Sequence, residues 1–224
     1  MPDLDNSPAS APLDGQSRST AVPAPTLPPR VAQGIAVFID PASTLSAQQL
    51  SSARALLEEV GRWVDLDPTI NRLRRDPRVQ VQMGILSPGR LRQEIRRRSP
   101  SISDDELANV NAFTTAENPT GPGRFTFLLS ERMLNNPALT LASIHHEFHH
   151  ASLQSYGQPG RTSAKVELAV YEAAVPGLER IGSALRSSPR VNDAAVGNDL
   201  PPIIAVEGRN REKARARAAK DEVR

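Results

Sequence analysis

The chain has 224 residues, 27 Lys and Arg against 25 Asp and Glu, a formal charge of +2, and no cysteine. That length allows one domain of ordinary size with tails, or two small ones. The near balance of charge excludes a nucleic-acid polyelectrolyte, and the missing cysteines exclude disulfides and thiolate metal ligands. No run approaches the ~18 apolar residues of a membrane span, so a soluble protein is expected.

Residues 1–30 are rich in Pro, Ser, Ala and Asp and close on Pro23, Pro25, Pro28 and Pro29. Such a composition cannot bury a core and reads as a disordered leader. Met1 to Asp5 offers neither a basic nor an apolar region of a Sec-type signal peptide. The expectation is therefore a cytoplasmic protein, or one exported without a cleavable signal.

A domain is expected over residues 31–186. Ile35–Ile39 is a short apolar run stopped by Asp40-Pro41, a first strand. Ser46 with Gln49 three residues later is a capping-box pattern, followed by Leu50, Ala53, Leu57 and Val60 on one helical face. Asp67-Pro68 reads as an N-cap with proline at the first helical position, opening a short helix through Leu73 and Arg75. Val79–Met83 alternates apolar and polar, as a half-buried strand does.

Ser87-Pro88 opens another helix, bearing Arg90, Arg92, Arg96, Arg97 and Arg98. With Arg72, Arg74 and Arg75 the middle of the chain is locally basic, which suits a solvated face or an acidic partner. No aromatics are interleaved to stack bases, so nucleic acid is an unlikely partner. Ser103 and Glu106 repeat the capping-box pattern ahead of a helix through Leu107 and Val110. After a turn-rich loop over 118–123, Arg124–Ser130 reads as a strand, either a plain core strand or a rail to which an extended substrate adds.

All four histidines of the chain lie in one stretch, Ile144-His145-His146-Glu147-Phe148-His149-His150. In the register of His146 it spells His-Glu-x-x-His. On a helix His146 and His150 then project from one face a turn apart, and both can reach one zinc ion with Glu147 beside a metal-bound water. The pair His145 and His149 has the same spacing but lacks the following carboxylate. At about 100° per residue, Leu141, Ile144, Phe148 and Ala151 share one arc, with His146 and His150 opposite beside Leu139 and Leu153. That distribution describes a buried helix running from Pro137 to Gly157.

Two histidines need a third ligand, and without cysteine or further histidine a carboxylate is expected. A helix from about Ser163 to Val175, halted by Pro176-Gly177, offers Glu167 and Glu172 on different faces. Glu167, on the side of Tyr171, is favoured, with Glu172 as the alternative or as a hydrogen-bonding partner of a ligating histidine. Leu178, Ile181 and Leu185 continue a further helix, residues 187–200 read as loop, and 207–224 as a charged helix or tail in solvent.

His146, Glu147 and His150 followed by Glu167 on a second helix resemble the gluzincin class of zinc metallopeptidases, over about residues 124–175. The leader and Glu167-Leu168-Ala169-Val170 also look faintly like bacterial secreted effector proteases. The resemblance implies an α+β fold, a small sheet with a predominantly helical zincin-like catalytic domain. It implies Zn²⁺ held by His146, His150 and Glu167, a protein or peptide substrate, and Glu147 as the general base. A tetrahedral oxyanion needs a further donor. Tyr171, Tyr156, His149 and Arg161 are near in sequence, and nothing in the sequence chooses among them. The alternative is a non-catalytic metal-binding or interaction module working through the arginine-rich surface.

Overall fold

The computed structural model describes residues 36–222, apart from 101, 109, 118–120 and 157–162. The expected leader, the loop after Tyr156 and Arg161 therefore lie outside the described residues.

The fold is α+β, a small four-stranded mixed sheet among helices. Strands β1 (Ala36–Ile39), β2 (Gln80–Leu86), β3 (Ala112–Ala116) and β4 (Arg124–Ser130) lie in the order β1-β2-β4-β3. β1, β2 and β4 are parallel, and β3 runs antiparallel along β4 with Thr114 opposite Phe127. The strand Arg124–Ser130 is thus interior, flanked on both sides, and cannot serve as a rail. The sheet edge on this side is β3, a strand absent from the sequence reading.

Alternation along β2 and β4 divides the core into two layers. Met83, Ile85, Phe125, Phe127 and Leu129 face helices α1 (Ala47–Val64), α2 (Pro68–Arg75) and α5 (Pro137–Tyr156) in the larger cluster. Leu86 and Leu128 face Leu91, Ile95 and Leu107 on α3 (Pro88–Arg98) and α4 (Asp104–Ala108). Three of the expected caps form, at Ser46, Asp67 and Ser87. Ser46 and Gln49 make a reciprocal capping box on α1, Asp67 accepts from the Thr69 N–H on α2, and Ser87 accepts from the Arg90 N–H on α3.

Two expectations fail towards the C-terminus. The helix opening at Ser163 does not halt at Pro176-Gly177 but continues as α6 (Ser163–Arg186). Residues 191–200 are not loop, because α7 runs unbroken from Val191 to Glu222 through Pro201 and Pro202. An internal proline removes one helical hydrogen bond and costs ~3 kcal/mol. Burial offsets it: Leu178, Ile181 and Leu185 are fully buried on α6, and Val196, Leu200, Ala214 and Ala218 are buried on α7. The two helices lie antiparallel. Leu200 meets Gly182, and a Cβ on Gly197 would stand 2.6 Å from the Arg186 backbone nitrogen. Only glycine permits that approach.

Asp193 ties the start of α7 to α1. Fully buried, it accepts from the Trp63 indole at 2.9 Å, from Arg62 at 2.7 Å and from Ser188 at 2.8 Å. Burial pushes its carboxyl up, but the bonds from Arg62, Trp63 and Ser188 outweigh that and hold its pKa below the ordinary value. The folded state then binds fewer protons than the unfolded one in the acid range, so this stabilisation is present above about pH 4 and is lost as pH falls. Asp193→Asn is expected to lose about 2 kcal/mol at pH 7, the scale of a charged hydrogen bond. Urea midpoints at pH 7 and pH 3 check it: the gap between variant and parent should shrink at the lower pH.

Candidate metal centre

α5 begins with the Asn136 side chain accepting from the Leu139 N–H at 3.0 Å. Its rotation is fixed by Leu141, Ile144, Phe148 and Ala151, all fully buried, with Phe148 edge-on to Phe127 of β4 at 4.9 Å between ring centroids. Once that arc is against the sheet, the four histidines divide into two pairs on different sides of the helix.

His146 and His150 turn towards α6. Their Nε2 atoms are 3.1 Å apart, and Glu167 closes the triangle with Oε2 3.7 Å from His146 and Oε1 3.3 Å from His150. Metal–donor bonds of about 2.0–2.1 Å at tetrahedral angles put neighbouring donors about 3.3 Å apart. The separations of 3.1, 3.3 and 3.7 Å lie close to that spacing, with the carboxylate meeting the two histidines through different oxygens, and two imidazoles with a carboxylate suit zinc. The side chains of His146, His150 and Glu167 are 14%, 20% and 42% exposed, so the site opens to solvent.

The electrostatics favour a cation. Glu147, Glu167 and Glu207 all act on His146. Burial pulls its imidazole down, but the bond from Glu167 and the charges of the three glutamates outweigh that and raise its pKa. Burial pushes Glu167 up, yet His146 and His150 hold it well below the carboxylate range. Glu207, on α7, lies with Oε2 3.8 Å from His146 Nδ1, the nitrogen turned away from Glu167. Burial raises its pKa, as do Glu147 and Glu167, while His146 lowers it. Sequence reasoning missed Glu207, because α7 was expected to stand in solvent.

Glu147 is buried and does not join the triangle. Its Oε2 accepts a short hydrogen bond from the Thr114 hydroxyl of β3. The sheet edge therefore fixes the carboxylate beside the histidines. Tyr171, one turn beyond Glu167, lays its ring 4.7 Å from that of His146, tilted by 58°. Burial pushes its phenol well up, as do Glu207, Glu167 and Glu147, so it stays protonated and can donate.

Other candidates are engaged elsewhere. Glu172 is not turned to the histidines; it faces Arg215 of α7 at 3.5 Å and is half exposed. His149 points to Asp67, with Nε2 3.4 Å from Oδ2, and is not a donor to the His146 site. Tyr156 donates to Asp76 at 2.6 Å, beneath the Arg72 guanidinium. The arginine-rich surface is partly neutralised within the chain. Arg90, Arg97 and Arg98 gather on Glu94, Arg96 pairs with Asp104, and Arg74 is held by Asp65.

Comparison of the chain with protein-family models, with curated proteins and with solved structures returns no match. No helix among the described residues is long and apolar enough to cross a membrane.

Proposed function

We propose that the chain is a zinc-dependent metallopeptidase that hydrolyses a peptide bond at the His146 site. The observation that carries the reading is the donor triangle of His146, His150 and Glu167 beside a buried Glu147 that takes no part in it. The resemblance of His146-Glu147-x-x-His150 and Glu167 to the gluzincin class points the same way. His146 and His150 would hold the zinc through Nε2 and Glu167 through its carboxylate. Bound there, zinc supplies Lewis acidity to the scissile carbonyl and lowers the pKa of water from ~15.7 towards ~7.

The chain's own groups supply the rest. Glu147 takes a proton from the attacking water and passes it to the leaving amine. The hydroxyl of Thr114 holds that carboxylate in one orientation. The charge of Glu207, 3.8 Å from His146 Nδ1, favours the tautomer that carries its proton there and leaves Nε2 with a free lone pair. The protonated phenol of Tyr171, whose ring lies against that of His146, is the donor we assign to a developing oxyanion. Among the described residues no strand pairs with the other edge of β3, and an extended peptide adding there would lie beside Glu147.

The test is zinc content by elemental analysis together with cleavage of a diverse peptide library read by mass spectrometry. One zinc at this site and cleavage lost on chelation and restored by zinc are expected. A protein that binds zinc here but cleaves no peptide would be a binding module instead. Thr114→Val is expected to keep its zinc and to lose roughly 10-fold in kcat, the scale of one hydrogen bond to a charged group. Library cleavage rates check it.

A further inference from the structure

The second histidine pair forms a cluster of its own. His145 and His149 are one turn apart on α5 and meet Asp67, the residue before α2. His145 Nε2 is 3.1 Å and His149 Nε2 3.4 Å from the same Asp67 Oδ2. These separations match the donor spacing of about 3.3 Å set by zinc bonds of 2.0–2.1 Å.

We propose that Asp67, His145 and His149 form a second site for a divalent cation of zinc's class, one that is structural and ties α5 to α2. It does not depend on the peptidase reading, since it shares no ligand with the His146 site.

Three observations carry it. His149 Nε2 is buried without a hydrogen-bond partner and is aimed at the Asp67 carboxylate. A buried ring nitrogen left in that way is rare unless a bound ion takes it. Asp67 divides its oxygens: Oδ1 accepts from the Thr69 N–H at 2.8 Å and caps α2, which leaves Oδ2 to the histidines. The site is also closed, with the side chains of Asp67, His145 and His149 only 0%, 0% and 3% exposed. Gly177 completes the closure. A Cβ there would stand 2.3 Å from Asp67 Oδ2 and 2.7 Å from His145 Nε2, so only glycine lets α6 seal the cluster. Burial from solvent suits a structural ion and contrasts with the partly exposed His146 triangle, while the three donors leave one position of a tetrahedral ion to a ligand from outside the cluster.

The competing cation is Arg180, whose Nη2 lies 3.5 Å from Asp67 Oδ2. Its side chain is 56% exposed and can turn to solvent when an ion is bound.

The experiment strips the full chain with a chelator, reloads it with zinc, removes the excess by gel filtration and counts zinc per chain. Two zincs are expected in the parent, one in Glu167→Ala, one in His149→Gln, and none in the double variant. Asp67→Asn, which retains a capping oxygen for α2, should also bind one. A parent with a single zinc that Glu167→Ala removes and His149→Gln retains would overturn this site and leave the peptidase reading intact. The converse pattern would support this site and overturn that reading. Should His149→Gln fail to fold by circular dichroism, the Glu167→Ala protein decides alone. One remaining zinc supports the second site, and none overturns it.

Discussion

Glu147→Gln is expected to lower kcat/KM for peptide cleavage by about 10²–10⁴-fold, the usual contribution of a general base, while zinc content stays unchanged. The amide keeps the size of the carboxylate and can still accept from Thr114, so packing around this buried position is preserved. It cannot take a proton from water. The pairing of the two readouts gives the result its meaning. A loss of both zinc and activity would make Glu147 part of the metal's support. A fall of less than about 10-fold with zinc retained would remove Glu147 as the base, since general base catalysis is worth more than that. In that event Glu207, whose pKa is raised by burial, would be the next carboxylate to replace.

The fold class and the centre of the site were readable because both rest on short-range patterns. A helix with Leu141, Ile144, Phe148 and Ala151 on one arc has only one way to meet a sheet. Once it does, the positions of His146 and His150 follow from the 3.6-residue period. The caps at Ser46, Asp67 and Ser87 are likewise local. What escaped was tertiary. Ala112–Ala116 is too short and evenly mixed to announce a strand, and only pairing with β4 makes it one. Pro176 with Gly177, and Pro201 with Pro202, are breakers by local chemistry, yet both lie inside helices because the buried residues beyond them outweigh the lost hydrogen bonds. Asp67 was visible as a cap but not as the partner of two histidines, because only one of its oxygens serves the cap.

These misses share a cause and bear on the site. The charge of 207–224 points to a helix or tail in solvent, yet the antiparallel packing of α7 on α6 is what brings Glu207 to His146. Gly177 was read as the end of a helix, yet in mid-helix it permits α6 to close over Asp67 and His145. Each residue carries a local signal of one kind and a tertiary role of another.

The two glutamates of α6 provide the second large effect. Glu167→Ala removes the carboxylate that spans both histidine nitrogens, at 3.3 and 3.7 Å. Loss of a group that merely supports a ligand costs 10–100-fold in metal affinity, so loss of a ligand should cost more than about 100-fold. Competition for zinc with a chromophoric chelator at pH 7 measures it. Glu172→Ala removes only a half-exposed partner of Arg215. It should leave zinc affinity unchanged and stability within about 0.5 kcal/mol of the parent, as exposed ion pairs contribute little. The comparison also carries a sign in pH. Zinc competes with the proton that the glutamates hold on His146, whose pKa is raised. Affinity in the parent should therefore climb as pH rises through the histidine range. In Glu167→Ala the strongest partner that raises that pKa is gone, so the climb should begin at lower pH and end at a weaker plateau. If Glu172→Ala lost the zinc of the His146 site and Glu167→Ala kept as many zincs per chain as the parent, the carboxylate ligand would have to come from the other face of α6, against the geometry of the triangle.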